Sequence, residues 1–189
     1  MPNNKAVLLS IRPEWCEKIL SGEKTVEIRK TRPKLEPPFK CYIYCTLAGS
    51  DSLFMDVLNR DVTAWNRGGW PEKKGRVIGE FTCKKITGLT HIGATGSREP
   101  VKLYIETSDL QYENADELLR AACLTKAQAE MYLNGGDGYG WNISDPKIYD
   151  RPRLLSNFTR LRATKFGYEP VDIERPPQSW FRSEEHTSE

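Results

Sequence analysis

Between Gly22 and Arg29 the chain reads Gly-Glu-Lys-Thr-Val-Glu-Ile-Arg, and no other stretch constrains the fold as much. Val26 and Ile28 alternate with Thr25, Glu27 and Arg29, the period of a strand with one apolar and one charged face. The segment before it is helical in pattern. Pro13 suits a first turn, Trp15, Cys16, Ile19 and Leu20 form an apolar stripe, Glu14 and Lys18 are spaced to pair, and Gly22 supplies a left-handed stop. Earlier still, Ala6-Val-Leu-Leu-Ser-Ile11 is apolar almost throughout, as in a strand covered on both faces. A covered strand, a helix, a glycine stop and a strand with a charged face bring Ser10, Arg12, Lys24, Glu27 and Arg29 toward one place. Lys24 sits at the turn, free to face either way. The ordinary alternative is an exposed strand face whose charges pair across neighbours.

Residues 182–189, Arg-Ser-Glu-Glu-His-Thr-Ser-Glu, equal the in-frame translation of a common sequencing adapter, AGA TCG GAA GAG CAC ACG TCT GAA. They are read as non-native, an assembled read that ran into adapter and truncated the real C-terminus at or near Phe181. Independent amplification of the locus checks this: an authentic frame encoding the octapeptide refutes it. Leaving them out takes Lys plus Arg from 28 to 27 and Asp plus Glu from 26 to 23, so the formal charge rises from +2 to +4. A mild positive excess permits nucleic-acid binding without demanding it. The densest basic strings are Arg29-Lys30-x-Arg32 and Arg160-x-Arg162-x-x-Lys165.

Residues 1–181 suit a single domain by length. The first apolar run is short and followed by charge, unlike a signal peptide, and no stretch approaches a membrane span, so a soluble, cytoplasmic chain without a membrane partner is expected. Cysteines at 16, 41, 45, 83 and 123 lack framework or zinc-site spacing and read as buried thiols; no metal or cofactor is inferred.

After a Pro-rich turn at 33–38, Lys40-Cys-Tyr-Ile-Tyr-Cys-Thr46 reads as a strand ending near the same place. Residues 47–75 read as an insertion with a short helix at 51–59 and the string Ala-Trp-Asn-Arg-Gly-Gly-Trp-Pro at 64–71. Trp65 and Trp70 there form either a stacking platform for bases or the insert's own small core. Arg76 to Ile86 returns to strand pattern, with Gly79 marking a bulge or a close backbone approach. Val101 to Ile105 reads as a further strand. Asn114 caps one helix, Thr125-Lys-Ala-Gln128 is a capping box for the next, and Asn134-Gly-Gly136 ends it. A helix-turn-helix is disfavoured, because the second helix offers only Lys126 to phosphates. Gly138-Tyr-Gly-Trp-Asn-Ile143 alternates small and aromatic residues, approached closely either by a ligand or by another strand, with a bulged core strand as the ordinary alternative. Arg175-Pro-Pro-Gln-Ser-Trp-Phe181 returns Gln178 and Trp180 to the sheet.

Ser10-Ile-Arg-Pro13, Lys18-Ile-Leu-Ser-Gly22 and Gly22-x-Lys24-x-x-Glu27-x-Arg29 resemble the ASCH (activating-signal-cointegrator homology) family. The strings at 75–81 and 175–180 are similar to its phage- and prophage-associated members. The resemblance implies an α+β fold, a PUA-like β-barrel or pseudo-barrel of about five to seven strands with flanking helices. It also implies a cleft that accepts RNA, nucleotides or modified bases. Some similar proteins are enzymes: one branch removes the acyl group from acetylcytidine, and another is described as a ribonuclease. In the amidohydrolase branch the motif Lys accepts a proton, a Thr three residues on is the nucleophile and a distant Glu donates. Lys24 matches; Glu27 stands where that Thr would be, and residues 121–123, where the Glu is expected, read Ala-Ala-Cys.

In such a cleft Lys24 and Arg29 meet phosphate or a polarised carbonyl, and Glu27 accepts hydrogen bonds from an exocyclic amine or base edge. Ser10, Arg12, Thr46 and Gln178 orient the ligand, and Trp141 or Trp180 offers a stacking surface. The expectation is a module that binds RNA, a nucleotide or a modified base. The alternative is a hydrolase acting on an acylated nucleoside or RNA, with Lys24 as general base, Glu27 as partner acid and Thr25 as a candidate nucleophile. A third class is a phage accessory protein that contacts a host protein through its Trp-rich insert; no protein partner is named by the sequence.

Overall fold

A computed structural model describes residues 6–47, 73–92, 102–105 and 112–185. The expected insert helix at 51–59 and the pair Trp65 and Trp70 lie outside these residues. The first elements follow the sequence pattern: β1 (Ala6–Ile11), α1 (Pro13–Leu20), β2 (Val26–Arg29) and β3 (Phe39–Cys45). Then come β4 (Arg76–Cys83), β5 (Ile86–Ile92), β6 (Lys102–Ile105), α2 (Ala115–Ala121), α3 (Lys126–Leu133), β7 (Gly138–Asn142) and β8 (Ser144–Arg153). A single 3-10 turn at Leu155–Asn157 leads to β9 (Phe158–Thr164), β10 (Gly167–Asp172) and β11 (Trp180–Glu185).

The strands form a seven-stranded sheet, ordered β10-β9-β11-β1-β3-β4-β8, and a four-stranded sheet, ordered β2-β7-β5-β6. This is the expected α+β class. Among the described residues the strands do not close into one hydrogen-bonded barrel; the two sheets enclose a shared core instead, as a pseudo-barrel. Two strand pairs link them. β4 pairs with β8 in the large sheet and β5 with β7 in the small one, so the chain turns the corner twice, at Lys84–Lys85 and at Ile143. At the corner the Asn142 amide donates to the Lys85 carbonyl at 2.9 Å.

β1 is covered on both faces, as its apolar run requires. Val7, Leu9 and Ile11 join Cys41, Ile43, Cys45, Phe81 and the α1 residues Cys16 and Ile19 in the core between the sheets, together with Trp141 and Ile143. Ala6 and Leu8 pack on the other side with Tyr42, Tyr44, Tyr149 and Phe158. Gly79 marks both features that its pattern suggested: the β4–β8 register shifts beside it, and a Cβ there would stand 2.4 Å from the Lys147 carbonyl oxygen.

α2 and α3 lie on the outer face of the small sheet. Asn114 accepts from the Glu117 amide, the capping box of Thr125 and Gln128 is complete, and Asn134 ends α3 in the left-handed conformation at φ 53°. Their apolar residues Leu118, Leu119, Ala129 and Leu133 pack on Val26, Ile28 and Leu89. The close approach signalled by Gly138 and Gly140 comes from these helices. A Cβ at Gly138 would stand 2.7 Å from the Leu133 side chain, and one at Gly140 3.2 Å from Leu118 and Val26.

β11 sits inside the large sheet, between β9 and β1, and includes Arg182–Glu185 from the stretch read as adapter. Ladder bonds are made by the backbone and accept most side chains.

Candidate functional site

Among the described residues, β2 is an edge strand of the small sheet and pairs only with β7. Its alternation places Val26 and Ile28 under the helices and turns Glu27 and Arg29 toward the end of β1. All four residues of β2 are buried. Charged side chains in that setting need partners, and the structure supplies them.

Glu27 is shared by two cations. Its Oε1 lies 2.9 Å from Arg29 NH2 and its Oε2 3.4 Å from Lys24 Nζ. Side-chain exposure is 2% for Lys24, 10% for Glu27 and 7% for Arg29, so the cluster is shielded from bulk solvent. Arg29 also ties the sheets together: NH2 donates to the Ser10 carbonyl at 2.8 Å, and NH1 reaches the Ser179 carbonyl and hydroxyl at 3.4 and 3.3 Å. Ser10 Oγ in turn donates to the Pro177 carbonyl at 2.5 Å, and the Ser10 amide to Ser179 at 3.0 Å. These bonds fix the 177–179 return against the end of β1.

Lys24 is positioned by two helix ends. Its amide donates to the Lys18 carbonyl at 2.8 Å, after the turn that Gly22 makes at φ 78°. Its ammonium donates to the Ala122 carbonyl at 2.5 Å, and the next amide, Thr25, donates to the Ala121 carbonyl at 2.9 Å. These carbonyls belong to the open C-terminal end of α2, where a cation is favoured by the helix dipole. The Trp15 ring lies 4.9 Å from Nζ. Burial lowers the Lys24 pKa, against the opposing pull of Glu27 and with Arg29 adding to the depression.

The cluster opens into a cleft of about 450 Å³. Seven residues that the sequence singled out line it: Ser10, Arg12, Lys24, Glu27, Arg29, Thr46 and Gln178. The tryptophans do not. Trp141 is fully buried, its ring 5.7 Å from Phe39, and Trp180 packs 5.9 Å from Trp141 while its Nε1 donates to Thr31 at 3.0 Å. The aromatic lining comes instead from Trp15 on α1 and Tyr132 on α3, joined by Leu124, Gln128 and Ser179. Trp15 reads in the sequence as part of a helix stripe, and Tyr132 falls within the helix that Thr125 caps without being singled out, so neither carried a site signal. Thr25 is exposed, precedes β2 and is not among the lining residues.

A sequence model of the ASCH domain matches residues 9–130. The chain belongs to the ASCH domain family. The matched segment carries the Lys24–Glu27–Arg29 cluster and Gln128; Tyr132 and the 177–179 return lie beyond it. Family membership supports an RNA-binding or related module at the level of the family. Among solved structures, ASCH from Zymomonas mobilis is similar at 19% identity and a TM-score of 0.48, covering 95% of this chain and 88% of that one. A serine-to-alanine variant of the same protein gives 19% and 0.48, with coverage of 96% and 90%. No curated protein matches the chain. Among the described residues of the ASCH domain, no helix is long and apolar enough to cross a membrane.

Proposed function

We propose that this ASCH domain binds RNA or a nucleotide-sized ligand, including modified bases, in the cleft beside β2. One observation carries the reading: a buried Lys24–Glu27–Arg29 cluster faces a cleft of about 450 Å³ that also holds Trp15 and Tyr132. Cationic groups suit phosphate or a polarised carbonyl, aromatic rings suit a base, and the volume falls in the ordinary range for small-ligand sites. The roles given to Ser10, Arg12, Thr46 and Gln178 belong to this proposal, as orienting groups at the rim. The strings at 75–81 and 175–180 support grouping the chain with phage- and prophage-associated members, acting in the cytoplasm.

A thermal-shift and turnover screen of modified nucleosides and short single-stranded RNAs tests it, run on wild type and on Lys24→Ala. Stabilisation of wild type by an RNA or nucleoside, lost in Lys24→Ala, is the expected result. Equal stabilisation of the variant would remove Lys24 from the site.

The hydrolytic reading keeps one favourable observation, the lowered Lys24 pKa, which suits a general base. Against it, the ammonium is engaged by Ala122 and Glu27. Residues 121–123 do lie beside Lys24, where the resemblance expects a carboxylate, but they bring backbone carbonyls and the Cys123 thiol, 3.4 Å from the Glu23 carbonyl. Turnover in the same screen, abolished in Lys24→Ala, would restore the enzyme.

A further inference from the structure

The buried charges of the cleft do not balance. Among the described residues, the charged side chains that are buried are Lys24, Glu27 and Arg29, two cations and one carboxylate. Both oxygens of Glu27 are committed, Oε1 to Arg29 and Oε2 to Lys24. The remaining partners of the two cations are uncharged: the Ala122 carbonyl and the Trp15 ring for Lys24, and Ser10 and Ser179 for Arg29. Burying charge is favourable only when it is paired, because the Coulomb energy lost with water must be regained from a counter-charge. One positive charge is therefore left in excess, in a setting too dry to be screened well by salt.

Hydrogen bonding tells the same story. Arg29 Nε is buried with no acceptor, and the NH1 contacts are long at 3.3 and 3.4 Å. Ser179 Oγ accepts from Arg29, so its own proton is directed elsewhere. Arg12 adds a further cation at the rim, 69% exposed and only 4.0 Å from Glu14. Among the buried charged groups of the cleft, two cationic donors face one carboxylate. A ligand read mainly through its own N–H groups would have to share Glu27 with both cations.

We infer that the ligand of this cleft carries a compact oxyanion, phosphate or carboxylate, that completes the charge balance of the Lys24–Glu27–Arg29 cluster. The inference rests on the cleft being the ligand site proposed above, and it narrows the ligand from any nucleoside or base to one bearing an anionic group. Glu27 then acts as the fixed counter-ion that holds two cations at the site, and not as a reader of exocyclic amines.

Calorimetric titration of the wild-type protein separates the possibilities. The probes are the ordinary ribonucleosides, their 5′- and 3′-monophosphates, inorganic phosphate, acetate, and short single-stranded RNAs with and without a terminal phosphate. The expected result is that a monophosphate binds about tenfold or more tightly than its nucleoside. Inorganic phosphate should compete with the monophosphate. Competition by acetate as strong as that by phosphate assigns the site to carboxylates as well. The same preference should vanish in Lys24→Met, with circular dichroism reporting whether the variant is folded; the wild-type comparison decides the matter without it. Nucleosides binding as tightly as monophosphates would overturn the oxyanion and leave the nucleotide reading standing. Phosphate or acetate binding without any nucleotide preference would support the oxyanion and overturn the nucleotide reading. Silence from every probe would overturn both.

Discussion

Glu27 is the residue on which the site turns. It stands between two cations that would otherwise repel each other in a buried setting, so removing it is costlier than removing either partner. Glu27→Ala should lower stability by about 3–5 kcal/mol, the usual cost of stranding buried charge. Lys24→Met should cost less, because Arg29 keeps its carboxylate and a desolvated ammonium disappears; urea denaturation of the two variants checks the order. Lys24 also sets a pH signature. Its pKa is depressed in the folded protein below the ordinary value of 10.5, so between those two values the unfolded chain binds more protons than the native one. The penalty for the buried ammonium is thus fully present below the depressed pKa and is relieved as pH rises toward 10.5. Wild type should gain stability relative to Lys24→Met across that window, and chemical denaturation at a series of pH values measures it. The charged letters were plain in the sequence. Their mutual arrangement was half plain: alternation placed Glu27 and Arg29 on one face, whereas Lys24, before the strand, had no face until the end of α2 supplied Ala122 as its acceptor.

At the scale of elements, the local rules held where the backbone decides the outcome. The caps at Asn114 and Thr125 formed as their side chains require, and Thr125→Ala should cost about 1 kcal/mol through loss of the capping box, read from a thermal or urea midpoint. Gly79→Ala should cost about 1–3 kcal/mol by overpacking, since backbone at Lys147 cannot retreat as a side chain would. Gly138 and Gly140 show the limit of such reading. Glycine announces that something comes close, but Leu133 and Leu118 arrive from helices whose docking is a tertiary matter. The alternation in β7 likewise said that Trp141 points to one face without saying that this face is the sealed core.

At the scale of the whole molecule, the described residues form two sheets that share a core and part at one edge, where β2 faces the end of β1 and leaves the cleft. Trp141 belongs to that shared core, packed on Phe39 and Trp180. Trp141→Ala should lower stability by about 3–5 kcal/mol, as for other large core aromatics. Trp141→Phe should lower it less and leave ligand affinity unchanged, a result that calorimetry would contradict if this ring stacked on the ligand. While the α+β class was implied by the family resemblance, the sequence by itself determined the elements around Gly22, the covered nature of β1 and most of the polar lining, from Ser10 to Gln178. These follow from periodicity, caps and turn chemistry, which act over a few neighbouring residues. Only the tertiary structure decided which aromatics meet the cleft, that the end of α2 holds Lys24, and that two cations share one carboxylate. Those facts depend on groups brought together across the chain, such as Lys24 with Ala122 and Arg29 with Ser179, whose meeting no local pattern records.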